Sequence, residues 1–194
     1  MRKQLAIAAI LLTVSHGARA ADTGAFVDVF FIPSAELEVT VPGSGNARDD
    51  GDGFGFRGMV PAGGIAVTGE YQTTRYDDSG IEFDQLRLGI GLVNETTSGL
   101  LLEYVDTELD GAAADGFAVH GRFAAENFYG QLGYVRLEDD FEEIAGLEFV
   151  FGVTVGDRGP LSGFIDYRRS SLEGDESNIK TEFTDLRIGA RLRF

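Results

Sequence analysis

The chain contains two histidines, His16 and His120, and no cysteine. Thiolate nucleophiles and cysteine metal sites are therefore excluded. Nucleophilic catalysis would need a histidine paired with a hydroxyl and an acid. His120 is followed by Gly121-Arg122 and not by a serine in a His-x-Ser arrangement. The segment Asp49-Asp50-Gly51-Asp52-Gly53 resembles part of a calcium loop. The full loop also needs a distal glutamate at fixed spacing, and that is missing. The remaining candidates are charged residues spaced along the chain. They are Asp28, Arg57, Glu70, Arg87, Glu103, His120 with Arg122, Gln131, Glu148, Asp166 with Arg168, and Arg187. Acid and base nearly alternate through this series. Charges so ordered do ion-pair chemistry if one surface collects them, so the elements that carry them decide the reading.

Those elements are strands. From residue 25 onward, apolar and polar residues alternate with period two. Leu86, Leu88, Ile90 and Leu92 share one face, and Gln85, Arg87, Gly89 and Gly91 the other. Leu147, Phe149, Phe151, Val153 and Val155 repeat the pattern opposite Glu148, Gly152 and Thr154. Ten segments emerge, at roughly 25–33, 53–60, 65–75, 81–93, 99–108, 116–124, 128–138, 145–156, 161–171 and 181–194. Short turns at 61–64, 94–98, 125–127 and 157–160 alternate with longer acidic connections. These include 48–52, 76–80, 110–115, 138–143 and 173–177. Hairpins also repeat: Glu70-Tyr71, Glu103-Tyr104, Gly133-Tyr134 and Asp166-Tyr167 sit at matching depths. Phe83-Asp84-Gln85-Leu86-Arg87-Leu88-Gly89 returns as Phe183-Thr184-Asp185-Leu186-Arg187-Ile188-Gly189. Repeated hairpins that cannot bury their own faces predict a closed sheet.

Residues 1–20 stand apart. Arg2 and Lys3 precede an apolar run from Leu5 to Val14, and Ala18-Arg19-Ala20 gives the small-residue shape of a cleavage site. This predicts a secretory signal peptide over 1–20 and a mature domain over 21–194. Three of the 16 basic residues fall in that leader, which leaves 13 against 32 acidic ones, a net charge of −19. So acidic a chain excludes nucleic acid as a partner. Its loops would attract divalent cations weakly. No cofactor is expected.

A sheet of ten-residue strands fits a membrane. At about 3.3 Å per residue and a tilt near 40°, ten residues rise about 25 Å, the height of an outer-membrane apolar band. The apolar face then meets lipid, and the charged series above lines the lumen as a structural network. In so narrow a barrel, opposite charges on neighbouring strands are expected to pair and plug the interior. A narrow pore for ions or small solutes is the alternative. Arg75, Arg136 and Arg169 have outward parity near the loop-side strand ends, where a guanidinium can snorkel to headgroups. Tyr71, Tyr104, Tyr134 and Tyr167 point outward as an aromatic girdle.

The chain closes on Leu186, Ile188, Ala190, Leu192 and Phe194 at every second position. This row resembles the terminal assembly signal of outer-membrane proteins. With the alternation, the turn rhythm and the lumen charges, the chain over 21–194 resembles the small outer-membrane β-barrel proteins, of the OmpX and OmpA transmembrane-domain type. The resemblance implies an all-β, antiparallel, up-and-down transmembrane barrel of ten strands, or eight as that type commonly has. It implies a Gram-negative outer-membrane location with both termini periplasmic. The implied partners are outer-membrane lipid, lipopolysaccharide and the barrel-assembly machinery. The expected role is structural or surface-interacting, with acidic loops displayed outside the cell. An outer-membrane lipid-modifying enzyme ranks third, since His120 lacks its serine. An omptin-like protease would also have ten strands, but this chain is far shorter and shows no matching His-Asp and paired-Asp set.

Overall fold

The computed structural model describes residues 24–139, 141–156 and 159–194. The expected signal peptide and the start of the mature chain lie outside these residues. Ten strands run in chain order: β1 (Phe26–Val41), β2 (Gly45–Ala62), β3 (Ile65–Tyr76), β4 (Glu82–Val93), β5 (Gly99–Leu109), β6 (Ala112–Ala125), β7 (Phe128–Glu138), β8 (Glu143–Val155), β9 (Leu161–Gly174) and β10 (Lys180–Arg193). Each pairs antiparallel with its sequence neighbours, and β1 pairs with β10 to close the barrel. Closure leaves no edge strand to template aggregation. It settles the strand count at ten, not eight.

The alternation sorts the side chains as a lipid-embedded barrel requires. Val29, Phe54, Ile90, Leu92, Leu102, Phe117, Leu132 and Phe149 face outward and are exposed, Leu92 by 67% and Leu132 by 63%. Asp28, His120, Glu148, Asp166 and Arg187 face inward and are at most 1% exposed. A soluble protein would invert this arrangement. A continuous exposed apolar belt of this size marks contact with a membrane or partner, and a polar interior inside a closed sheet selects the membrane.

Two expectations about the loop side need correction. The first strand does not stop at residue 33, nor does the second begin at 53. β1 and β2 pair from Val41↔Gly45 down to Phe26↔Met59. Pro33 sits at a bulge, where the register shifts between Ile32 and Ala35 on the β2 side. Proline is tolerated there because the ladder is already broken. The bulge also shifts the parity: Phe30 and Ile32 point inward before it, Ala35 and Leu37 after it. Second, the acidic stretches are not long loops. The connections are two to five residues on both rims. Asp110 and Gly111 alone join β5 to β6, both with positive φ, as a two-residue hairpin turn requires. The acidic residues therefore divide between the loop-side strand ends and these short connections. We call that end the loop rim, and the end holding residues 63–64 and 126–127 the turn rim. Phe26 and Arg193 lie together at the turn rim.

The interior is layered. At the turn rim, Phe26, Met59, Ala66, Val93 and Leu101 form an apolar floor. Charged residues fill the middle. Phe30 and Phe164 stand beside the charged layer, and from them Ile32, Leu37, Tyr76 and Phe83 continue along one wall towards the loop rim, while Val105, Ala118, Val135, Leu137 and Leu172 line the other.

Candidate functional site

The middle layer is built around Glu148 on β8. Arg87 of β4 donates from both terminal nitrogens to its two oxygens, at 2.8 and 2.7 Å. Arg168 of β9 donates to Oε2 from Nε at 2.9 Å and Nη2 at 2.6 Å, and Ser170 Oγ donates at 2.6 Å. His120 of β6 stands between two acids. Its Nε2 is 3.1 Å from Glu148 Oε1 and its Nδ1 is 3.0 Å from Glu103 Oε2. A carboxylate in so dry a place must be paired, and here several donors converge on one. Arg168 also reaches Glu70 at 3.3 Å, Gln72 at 3.3 Å and Gln85 at 2.6 Å, and Arg187 reaches Glu70 at 3.2 Å. The His120 ring needs an opening in the wall, which Gly133 provides. A Cβ at 133 would lie 2.2 Å from His120 Cδ2.

A second cluster lies nearer the turn rim. Asp28 accepts from Arg57 Nε at 2.7 Å and from Arg191 Nε and Nη2 at 2.7 and 2.8 Å. Asp166 takes Arg57 Nη2 at 2.6 Å and the Tyr129 hydroxyl at 2.7 Å. The guanidinium planes also stack on rings: Arg57 lies 4.8 Å from the Phe164 centroid and Arg191 lies 4.0 Å from that of Phe26. Such stacking suits arginine, whose delocalised charge is weakly hydrated. Arg122 sits 5.7 Å from Tyr129 and donates to the Thr97 carbonyl at 3.2 Å.

The structure thus places Asp28, Arg57, Glu70, Arg87, Glu103, His120, Arg122, Glu148, Asp166, Arg168 and Arg187 on the lumen side, in these two clusters. Gln131 lines a cavity of about 40 Å³ between them. The pairing differs from the expected one. Some pairs do join neighbouring strands, as Asp28 does with Arg57 and Arg191. Arg87, however, lies 3.6 Å from Glu103 on the adjacent strand and makes its short contacts with Glu148 across the lumen. Sequence reasoning missed Asp185, Arg191, Tyr129, Gln72 and Gln85. All share the parity of residues it chose, so the signal was present. With Asp185 and Arg191 counted, the two clusters hold six acids and six arginines, plus His120, among the described residues.

Leu186, Ile188, Ala190 and Leu192 lie on the outer face of β10, and Phe194 N–H donates to the Ala25 carbonyl at 3.0 Å. Arg75 and Arg169 pair with Glu82 at 3.9 Å and Glu182 at 2.9 Å, and Arg136 pairs with Glu143. These outward arginines thus have carboxylates on the next strand. Tyr104 and Tyr134 are exposed. Tyr71 keeps the outward parity but is covered by Phe56 at 5.5 Å, with its hydroxyl on Asp84 at 2.9 Å.

The His120 group is not a Ser-His-acid triad. Ser170 donates to the carboxylate and not to the imidazole, and both imidazole nitrogens face acids. A triad needs one nitrogen on the nucleophile. Among the described residues, no group of three or more histidine, aspartate or glutamate side chains is placed to hold a metal ion. Asp49, from the calcium-like segment, caps the β3–β4 turn. It accepts from the amides of Asp78 at 3.0 Å and Ser79 at 2.9 Å. These hydrogen bonds, with one from the Ser79 side chain first among them, hold its carboxyl below the usual aspartate value.

No family model and no curated protein matches the chain. Solved structures do. The outer-membrane protease OmpT of Escherichia coli is 9% identical, with 88% of this chain and 96% of that chain covered and a TM-score of 0.52. This is the fold of the small outer-membrane β-barrel proteins. Neisserial surface protein A aligns at 14% identity, over 88% of this barrel and 97% of that chain, with a TM-score of 0.41. Ail, the attachment invasion locus protein of Yersinia pestis, aligns at 11% identity, over 87% and 99%, with a TM-score of 0.35. At such identities the likeness concerns the outer-membrane barrel fold alone.

Proposed function

We propose that the protein is a closed structural barrel that presents an acidic rim at the cell surface as an interaction surface. The observation that carries this reading is the convergence of Arg87, Arg168, Ser170 and His120 on Glu148. Three strands, β4, β6 and β9, bring side chains to this one carboxylate of β8, and Phe26 and Met59 pack nearer the turn rim. An ion crossing would have to break this network and then the cluster of Asp28 and Arg191 packed against Phe26. Both termini face the periplasm in this reading, because the acidic, projecting hairpins belong outside.

The rim is proposed to contact lipopolysaccharide, with divalent cations bridging the two sets of anions. The outward row Leu186, Ile188, Ala190, Leu192 and Phe194 is proposed as the face read by the barrel-assembly machinery. The role is proposed to be non-enzymatic, since His120 faces acids on both sides and Ser170 donates to Glu148 and not to it.

Planar-bilayer recording tests the closed lumen. The purified protein should insert without stepwise conductance. Reproducible single-channel steps would replace this reading with the narrow pore.

A further inference from the structure

One cavity inside the barrel is unlike the rest of the lumen. It is a vestibule of about 150 Å³ between the charged middle layer and the loop rim. Its walls include Leu109, Val135, Leu137, Ile144, Leu172 and Phe183. Phe83 and Phe183 stack at 4.8 Å to form one side. An apolar chamber of this volume suits one aromatic ring or a short alkyl chain. Filling the space would have been simple, since Ala112, Ala113 and Ala114 border it.

One buried acid at this chamber has, among the described residues, no arginine nitrogen at hydrogen-bond distance. Asp185 is 3% exposed and lines the vestibule. It accepts from Gln72 Nε2 at 3.2 Å, and its nearest cation, Arg187, stands 3.8 Å away. Asp28, Glu148 and Asp166 each hold guanidinium nitrogens at 2.6–2.8 Å. Asp185 also follows Phe183 by two residues on the same face, so carboxylate and ring edge one space. A buried acid beside stacked rings recognises an ammonium group by charge and by cation–π attraction. Asp139 also lines the vestibule, and Glu138 and Glu142 flank it at the rim. Arg87 and Arg168 also line the chamber but are held by Glu148, so the balance there is acidic and would gather cations and repel anions.

We propose that the vestibule binds a small organic cation, an aryl or alkyl amine. Its ammonium sits on Asp185, and its apolar part lies among Val135, Leu137, Leu172 and Phe183. The site lies above the Glu148 network and needs no passage through it, so it holds whether or not the barrel conducts.

The test uses the full mature protein in lipid nanodiscs, with leucine and valine methyl groups observed by NMR. Benzylammonium, benzyl alcohol and benzoate share one ring and differ in charge. Benzylammonium should shift the Val135, Leu137 and Leu172 methyls saturably. Benzyl alcohol should bind about tenfold more weakly, the loss expected of one charge-assisted contact, and benzoate should not bind. Asp185→Asn should bring benzylammonium down to the level of the alcohol without changing the alcohol. Ala114→Phe, which fills the chamber and leaves Asp185 in place, should abolish binding of both. The outward methyls of Leu102 and Leu132 report partition into lipid. Shifts confined to those methyls, equal affinity for all three probes, or benzylammonium binding unchanged in either variant would each overturn the site.

Discussion

Arg87 on β4 and Glu148 on β8 meet across the lumen through two parallel hydrogen bonds, of 2.8 and 2.7 Å. In the ladder, Arg87 stands directly opposite Glu70 of β3, yet Glu70 is held instead by Arg168 and Arg187. The long side chains lean into the centre and choose partners there. A fork-on-fork arginine–carboxylate contact fixes geometry as well as charge. The network therefore ties together strands that share no backbone hydrogen bond, and it stiffens the barrel as crossbars would.

Coupling energies should reflect that choice. In double-mutant cycles, Arg87 should couple to Glu148 by about 1.5–3 kcal/mol, as expected of buried charged hydrogen bonds. Its coupling to Glu103, at 3.6 Å, should stay below about 1 kcal/mol. Arg87→Leu alone should cost about 3–5 kcal/mol, because an acid loses its partner in a dry site. Urea unfolding in phospholipid vesicles, followed by far-UV circular dichroism, measures all three. Equal couplings would mean that Arg87 does not prefer the acid across the lumen to the one on the adjacent strand.

How much of this was legible in the sequence depends on which distances it encodes. Period-two alternation places Leu88 and Arg87 on opposite faces without ambiguity, and that assigned the strands and the lumen side chains. The ladder then gives each residue its in-register neighbour, but not the residue facing it across the lumen. Arg87 to Glu148 was therefore unreadable, whereas Asp28 to Arg57, which are opposed in the ladder, was not. The upper halves of β1 and β2 failed for another reason. Leu37, Val39 and Val41 do alternate with Glu36, Glu38 and Thr40, but Pro33 and the bulge displace that pattern from the one below it. An unbroken parity count stops at the bulge. The β5–β6 connection was overextended because Ala112-Ala113-Ala114 shows no alternation. The Asp110-Gly111 turn signal was there to be used.

Gly133 offers a test of the packing around His120. A Cβ there would meet His120 Cδ2 at 2.2 Å and the Val119 carbonyl oxygen at 2.4 Å. Gly133→Ala should destabilise the barrel by about 1–3 kcal/mol, the range for overpacking a filled interior. Gly121, on the neighbouring strand, finds only the Leu132 carbonyl oxygen, at 3.7 Å. Gly121→Ala should fall within about 0.5 kcal/mol of wild type. The same unfolding assay reads both. Similar losses at the two positions would remove the steric account.

The rim contains a pH-sensitive clasp. Glu142, in the β7–β8 connection, accepts from Ser177 Oγ at 2.7 Å, from the Ser177 amide at 3.0 Å and from the Glu176 amide at 3.2 Å. These bonds, led by that from the Ser177 side chain, hold its carboxyl below the ordinary glutamate value. A lowered folded value means that the ordering is fully present above the unfolded pKa, about 4.3, and fades as pH falls through the folded one. Amide exchange at Glu176 and Ser177, corrected for its intrinsic pH dependence, should lose protection on acidification below that range. Glu142→Gln should make the residual protection independent of pH. Protection that persists unchanged in acid would show that the connection is held by its own turn hydrogen bonds.

The assignment of faces can be checked without any measurement of stability. Leu88 is 41% exposed and Arg87 is 4% exposed, one residue apart on β4. A cysteine is easily introduced, since the chain has none of its own. Stability is a poor discriminator here. Arg87→Leu strips a lumen acid of its partner, whereas Leu88→Arg drives a charge into lipid at about 2–4 kcal/mol near the midplane, so the two costs overlap. Chemical access separates them. In the folded protein, Leu88→Cys should react readily with a lipid-soluble maleimide and poorly with a charged one. Arg87→Cys should react slowly with both, because its surroundings are packed on one side by Glu148 and Arg168 and on the other by Glu103. Fast labelling of position 87 by the lipid-soluble reagent would invert every face assigned above. Fast labelling there by a large hydrophilic reagent would keep the faces and open the lumen.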